Sequence, residues 1–330
     1  MANILVTGGA GFIGSHVVRT LVEDGHQVWV LDDLSGGYAE NVHSRASFIH
    51  GSILDYDLLK ALFAEHSFEY VFHLAAYAAE GLSHFIKRFN YQNNLIGSVN
   101  LINLSILHKI QCFVFTSSIA VYGKNQVPMT EDLTPMPEDP YGIAKYAVEQ
   151  ELKCSHEMFG LPYIIFRPHN VYGEYQNIAD KYRNVVGIFM NQIMQDLPMT
   201  IFGTGEQRRA FSYIGDIAPV MARSIAVPKA YQQVFNIGAD QPYTVNELAK
   251  EVARAFGVEP KIRYLAARHE VEMAYSDHSK VKQILKAHPL TPLTKGIAQM
   301  TGWVKKNGAR KTKDFENIEI DRNLPPAWRR

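Results

Sequence analysis

The chain has 330 residues, 47% of them hydrophobic, and its 33 Lys+Arg balance 33 Asp+Glu. That length allows one large domain or two modest ones with a real core, and zero net charge leaves no global field to draw nucleic acid or an anionic membrane, so small molecules are the expected partners. Its two cysteines, Cys112 in a strand-like run and Cys154 in a helical one, form neither a disulfide framework nor a metal-ligand spacing, and both read as core thiols of a reducing compartment.

No metal is expected. No apolar run reaches membrane-spanning length, and the amino terminus is itself the first strand, so its removal as a signal would destroy the fold. A cytoplasmic protein is the expectation.

Asn3 to Thr7 is a short apolar run ending in turn residues, and Ile13 to Asp24 has helical apolar spacing. The glycines between them join a strand to a helix, the geometry of a dinucleotide site: Gly8 permits the tight turn, Gly11 lets the backbone approach a pyrophosphate, and Gly14 lets helix and strand pack closely. A Gly-x-x-Gly-x-x-Gly triplet alone is a weak signal. Gln27 to Leu31 reads as the second strand, ending at Asp32-Asp33. A carboxylate there accepts hydrogen bonds from both adenosine ribose hydroxyls and repels a 2′-phosphate, so Asp32 argues for NAD over NADP, with Ser35 and Gly36 in a loop beside the ribose.

Phe48 to His50 is a third strand, and Asp55 starts a helix through Glu65. Tyr70 to Ala76 is a buried strand running into small residues that allow a cofactor to lie against the backbone. After an amphipathic segment from Tyr91 to His108, Cys112 to Ser118 delivers hydroxyls at the carboxyl end of a fifth strand, where ligands of parallel sheets sit. Val127 to Pro140 reads as a surface loop, and a helix runs from there to Phe159, capped by Gly160. Tyr141 and Lys145 stand at i and i+4 on one face of it. A tyrosine serves as acid and base near neutral pH when its phenolate is stabilised, and a nearby ammonium does that.

Tyr163 to Arg167 is a sixth strand. The alternation then loosens, as expected where a chain leaves a cofactor domain to build a substrate site. Helices are predicted over Val185 to Gln195, from the Thr244-x-x-Glu247 capping box to Phe256, over Ser279 to Leu285 and over Leu293 to Asn307, with strands at Thr200 and at Lys261 to Tyr264.

Read together, Thr7-Gly-Gly-Ala-Gly-Phe-Ile-Gly14, Asp32, His73-Leu-Ala-Ala76, the Tyr141/Lys145 pair and Arg167-Pro-His-Asn170 resemble the extended short-chain dehydrogenase/reductase family. Within it the chain is most similar to the nucleotide-sugar epimerases and dehydratases, the UDP-glucose 4-epimerases above all. The second half carries the resemblance through Phe202-Gly-Thr-Gly205, Arg209, Asp216-Ile-Ala218 and Asn236-Ile-Gly238. It implies an α/β fold, a Rossmann-type doubly wound parallel sheet over residues 1–167, with 168–330 mainly a smaller substrate-binding α/β domain whose segments return to the sheet.

The resemblance also implies roles. Tyr141 becomes the acid–base, Lys145 the residue that lowers its pKa and holds the nicotinamide ribose, and Ser118 the partner of the reacting hydroxyl. Gly8, Gly11, Phe12, Ile13 and Gly14 line the pyrophosphate of NAD; Asp32, Asp33, Ser35 and Gly36 lie near the adenosine ribose, and Ser52 and Ile53 near adenine. Leu74, Ala75, Ala76, Asn93 and Thr116 line the groove, with Pro168 and His169 towards the nicotinamide. Asn170, Asn184, Val185, Arg209 and Arg268 fall where the family binds the substrate's diphosphate. A homodimer through the two long helices, 91–108 and 141–159, is implied as well.

Departures are informative. Ser52 stands where an Asp is common, and Ala78 where 4-epimerases often carry a phosphate-binding Lys. Glu80 reads either as a sugar contact or as an exposed or structural acid, and Lys181 and Arg183 either as receptors for a uronate carboxylate or as solvated loop charges. After Ser118, related dehydratases carry an Asp-Glu pair, decarboxylating relatives a Glu and GDP-mannose 3,5-epimerases a Cys; here Ile119-Ala120 cannot move a proton. The resemblance therefore implies 4-epimerisation of a UDP-hexose. UDP-glucuronate epimerisation, 3,5-epimerisation, dehydration, a simple dehydrogenase and a non-catalytic sensor are the alternatives.

Overall fold

The computed structural model describes residues 1–267, 273–287, 291–311 and 314–328. Its first half alternates as the apolar runs predict. Strand β1 (Asn3–Thr7) leads through the glycine turn into α1 (Phe12–Glu23), then β2 (Gln27–Asp32), β3 (Ser47–His50), α2 (Tyr56–Glu65) and β4 (Tyr70–His73). Asp55 caps α2 by accepting a hydrogen bond from Leu58 N–H at 3.0 Å. Short α3 (Glu80–Ser83) and α4 (Lys87–Tyr91) follow, and a π-helical turn at Gln92–Ile96 joins α4 to α5 (Gly97–Leu107). The turn aims Asn94 at the loop after β4, where its amide accepts from Tyr77 N–H at 2.8 Å and donates to Tyr77 O at 3.1 Å.

After β5 (Cys112–Thr116) comes α6 (Pro140–Phe159), started by Asp139, which accepts from Gly142 N–H at 2.9 Å, and stopped by Gly160 at φ +73°. Strand β6 (Tyr163–Pro168) closes this half. Beyond it lie β7 (Val171–Tyr172), α7 (Val185–Met194), β8 (Met199–Phe202), β9 (Arg208–Ala210), β10 (Ser212–Tyr213) and α8 (Ile214–Arg223). Then follow β11 (Gln233–Ile237), β12 (Pro242–Thr244), α9 (Val245–Phe256), β13 (Ile262–Leu265), β14 (Met273–Ala274), α10 (Ser279–Leu285) and α11 (Leu293–Asn307). Helix α8 escapes sequence reading because Pro219 lies inside it.

Seven strands form one parallel sheet in the order β11-β6-β5-β4-β1-β2-β3, a Rossmann-type arrangement with helices on both faces. Successive strands run outwards in one direction from β1 and in the other from β4, so the order reverses between these two, and their carboxyl ends frame the crevice. Val17, Leu21, Val30 and Ile164 belong to the core on one face; Leu5, Phe63, Leu101, Phe113 and Val148 fill the other. Each such buried side chain contributes about 1.5–3 kcal/mol. A third core, including Phe189, Met190, Leu248, Val252 and Ile297, holds α7, α9 and α11 together beside the small sheets β12-β9-β14 and β13-β8.

The cysteine expectation is half corrected. Cys112 is buried in β5, but Cys154 is exposed, because Leu152 and Ser155 take the inward positions of that turn of α6. No helix among the described residues is long and apolar enough to cross a membrane.

Candidate active site

A cavity of about 520 Å³ lies at the carboxyl ends of β1, β2, β4 and β5 and extends to residues of α7, β8 and β9. The residues expected to hold the dinucleotide line it, with one exception. Ser52 lies outside the wall, and its Oγ closes its own turn by accepting from Leu54 N–H at 3.2 Å.

The glycine turn fits a pyrophosphate. Gly8 has φ +74°, and a Cβ there would stand 2.5 Å from Ala75 N; a Cβ on Gly14 would stand 2.0 Å from Gly8 O. Among the described residues no side chain caps the amino terminus of α1, and its first residues line the cavity with their share of the helix dipole. Asp32 is buried, its Oδ2 accepting from Ala10 N–H at 3.0 Å and its Oδ1 from Leu34 N–H at 2.9 Å. These bonds orient the carboxylate and leave each oxygen able to accept one more, from a ribose hydroxyl. Burial raises the Asp32 pKa above the usual carboxylate value. Thr116 Oγ1, also in the wall, is buried without a hydrogen-bond partner among the described residues.

The catalytic candidates meet at the end of β5 and the start of α6. Tyr141 is buried and hydrogen-bonded to the Ser118 side chain. Ser118 Oγ itself accepts from Ala120 N–H at 3.1 Å, which fixes its rotamer. Lys145 Nζ donates to Thr116 O at 2.7 Å and lies 5.8 Å from the Tyr141 ring centroid. Burial raises the Tyr141 phenol above its ordinary range, opposed by the Ser118 hydrogen bond and the Arg183 guanidinium. Burial also brings Lys145 down to about 7, against the pull of Glu149.

Glu149 is a residue that sequence reading missed. One turn beyond Lys145, it accepts from Ser117 Oγ at 2.5 Å and pairs with Arg167 of β6, whose Nε reaches it at 2.9 Å. This buried pair braces α6 against β5 and β6 beneath the catalytic face. His278 was missed as well. His169 donates from Nδ1 to Ala210 O at 3.0 Å and meets His278 Nε2 at 3.0 Å through Nε2. Both ring nitrogens are thus engaged, and burial, then the neighbouring His278, lowers the His169 pKa to about 3, so it stays neutral.

On the substrate side, Glu80, Asn170, Asn184, Val185 and Arg209 line the cavity; Arg268 lies outside the described residues. Asn184 Nδ2 donates to Val171 O at 2.6 Å, holding the uncapped amino terminus of α7 towards the cavity, a second ready anion site. Glu80 is close enough that its charge raises Asp139, after burial has done so. Arg183 lines the wall, whereas Lys181 turns away to Asp314 at 2.5 Å.

Comparisons with known proteins show the family. The NAD dependent epimerase/dehydratase family model matches residues 4–238, and the chain belongs to that family. UDP-glucose 4-epimerase of Mycolicibacterium smegmatis is 33% identical over 303 residues, 89% of this chain and 96% of its own length. The crystal structure of UDP-glucose 4-epimerase with UDP-glucose from Thermotoga maritima superposes with a TM-score of 0.88 at 36% identity, covering 92% of this chain and 99% of that one. That of UDP-glucuronic acid 4-epimerase from Bacillus cereus with UDP-glucuronic acid and NAD gives 0.85 at 29% identity, covering 92% and 99%. NAD is the cofactor of the family, and the residues of the crevice fit it.

Proposed function

We propose that the protein interconverts the C4 epimers of a nucleotide hexose, of the UDP-glucose/UDP-galactose type, through a transient 4-keto sugar. One juxtaposition carries the reading. Tyr141, bonded to Ser118 with Lys145 a turn along, opens onto the same cavity wall as Ile119 and Ala120, whose side chains cannot move a proton.

Bound NAD supplies the hydride acceptor and donor, and the positive charge of its oxidised ring favours a neighbouring phenolate. Ser118 orients the C4 hydroxyl, and Tyr141 takes its proton as C4 is oxidised and gives it back when C4 is reduced from the other face. Lys145, anchored on Thr116 O, holds the nicotinamide ribose and sets the charge beside the phenol. The α7 amino terminus and Arg209, with Asn170, Asn184, Val185 and Arg268, hold the sugar diphosphate, since guanidinium and helix N–H groups both pair with phosphate. In this division residues 1–167 hold the cofactor and 168–330 mainly the sugar. His169, neutral and engaged at both nitrogens, offers no proton to C5.

The test is turnover of a panel of nucleotide sugars in deuterium oxide followed by proton NMR. C4 should invert with no deuterium on carbon and no net NADH. Deuterium at C5 or C3 would turn the reading towards a 3,5-epimerase with Glu80 as base, and a stable 4-keto-6-deoxy product towards a dehydratase. UDP-glucuronate is a second reading, favoured by the Arg183 cation in the wall. The assembly we propose is a homodimer through α5 and α6, supported by exposed apolar side chains on both.

A further inference from the structure

A dinucleotide pyrophosphate carries two negative charges into a largely buried crevice, and the amino terminus of α1 offers about half a positive charge. Among the described residues the Lys and Arg side chains in the wall are Lys145, Arg183 and Arg209. Lys145 is committed to Thr116 O, and Arg209 belongs to β9. Arg183 faces Gly36 in the loop after β2, which packs on the glycine turn. Its Nη2 and Nη1 would lie 3.2 and 3.6 Å from a Cβ on Gly36, and Gly37, the next residue, packs so tightly on the phosphate cradle that a Cβ there would stand 2.8 Å from Gly11 N.

The guanidinium is held in a defined plane. Its Nε donates to Asp180 Oδ2 at 2.6 Å, and the group lies 4.8 Å from the Tyr77 ring centroid. Among the described residues neither Nη group has a hydrogen-bond partner, so the fork that pairs with phosphate is unspent.

The segment that carries Arg183 is tied down along the same edge of the crevice. Glu174 O meets His16 Nε2 at 2.9 Å, Tyr175 O accepts from Asn41 Nδ2 at 3.3 Å, and Asn177 Oδ1 accepts from Tyr38 OH at 2.8 Å. Arg19 lies over the Tyr175 ring at 5.0 Å. These contacts join residues 174–183 to α1 and to the loop after β2, the two elements that frame the dinucleotide.

We propose that Arg183 is a cofactor-binding residue whose guanidinium pairs with the pyrophosphate of NAD from the side opposite the α1 amino terminus, with residues 174–183 acting as the strap that holds it there. The cation thus comes from the half of the chain that binds the sugar, and it takes up the phosphate-binding role that Ala78 cannot fill. Retaining the coenzyme suits a cycle that returns it unchanged. The inference rests on NAD as the cofactor and not on which sugar is turned over.

The experiment measures retention without substrate. Wild type, Arg183→Gln, Arg183→Lys and Lys181→Gln are purified as full chains, their NAD content is measured by release and mass spectrometry, and exchange is timed against excess isotopically labelled NAD. Arg183→Gln should exchange at least tenfold faster, Arg183→Lys should lie between it and wild type, and Lys181→Gln, on the same segment but paired with Asp314, should match wild type. Wild-type exchange in Arg183→Gln overturns the proposal, the more so if that variant loses turnover of UDP-glucuronate alone. Equal loss in the Gln and Lys variants with a lowered melting temperature also overturns it, since the charge would then be irrelevant. Failure of the epimerase reading would show instead as absent turnover with NAD exchange unaffected.

Discussion

Burial acts on Tyr141 and Lys145 in opposite directions, and the consequence is chemical. A phenol held above its ordinary range and an ammonium brought down to about 7 both favour the neutral pair, so a positive charge must stand beside Tyr141 for it to release its own proton to solvent and, as the phenolate, accept one from the sugar hydroxyl. Tyr141→Phe removes the proton-transferring oxygen and almost no volume. Turnover should fall on the order of 10²–10⁴-fold, with the NAD content measured by mass spectrometry unchanged. Asp139, two residues earlier, is raised to about 7 by burial and then by Glu80. Its folded pKa exceeds its unfolded one, so its contribution to stability is full below about 4 and is lost as pH rises through about 7. Thermal unfolding should therefore show stability declining over that window, on the order of 1 kcal/mol or more, and Asp139→Asn, which can still cap α6, should flatten the decline. The same slope in the Asn variant would assign it elsewhere. Tyr141 and Lys145 stand out in the sequence because their chemistry is tied to a spacing, and Ser118 through the family resemblance; the structure brings the three together at the end of β5 and the start of α6. Glu149 does not stand out: an acid at i+4 from a lysine reads as a helix surface pair, and only the arrival of Arg167 from β6 makes it a buried brace.

Elements were legible where apolar period and punctuation agree. The Thr244/Glu247 capping box marks the start of α9, and both partners of the box are present, Thr244 N–H donating to Glu247 Oε2 at 2.7 Å and Glu247 N–H to Thr244 Oγ1 at 3.0 Å. Strand β11 gave less warning, because a five-residue run holding Gln233 and Asn236 has neither clean alternation nor flanking turn residues on both sides; its partner β6 settles it. The glycine turn is the element on which cofactor binding depends most. A Cβ on Gly14 would collide with the backbone oxygen of Gly8, which no side-chain rotation relieves, so α1 must draw back from β1. Gly14→Ala should then cost about 1–3 kcal/mol of stability and lower NAD occupancy severalfold, seen as a reduced cofactor content in protein that still unfolds cooperatively. Full occupancy would mean that α1 tolerates the shift and does not set the phosphate site.

Across the whole molecule, the outer side of α5 and α6 is what the monomer leaves unexplained. The two helices pack side by side on one face of the sheet, turning Leu101 and Val148 inward. On the other side Ile96 is 51% exposed, Leu107 69%, Ile143 42% and Met158 74%, with the exposed Cys154 among them. Ile96 and Leu107 are eleven residues apart, as are Ile143 and Cys154, so each pair returns to the same face after three turns. An apolar stripe of this kind on two adjacent helices is what a two-fold interface buries, because each helix pair then meets its own copy. The misreading of Cys154 has the same origin: a sulfur at an apolar helix position is core-like in sequence whether a sheet or a second subunit covers it. The wild-type protein should therefore sediment as a dimer at micromolar concentration, and the double variant Ile96→Glu, Ile143→Glu, which places like charges across the two-fold axis, should sediment as a monomer. Neither residue lines the cavity, so the monomer should keep its NAD. A wild-type monomer, or a charged variant that still dimerises, would remove α5 and α6 as the interface and leave the stripe to another partner surface.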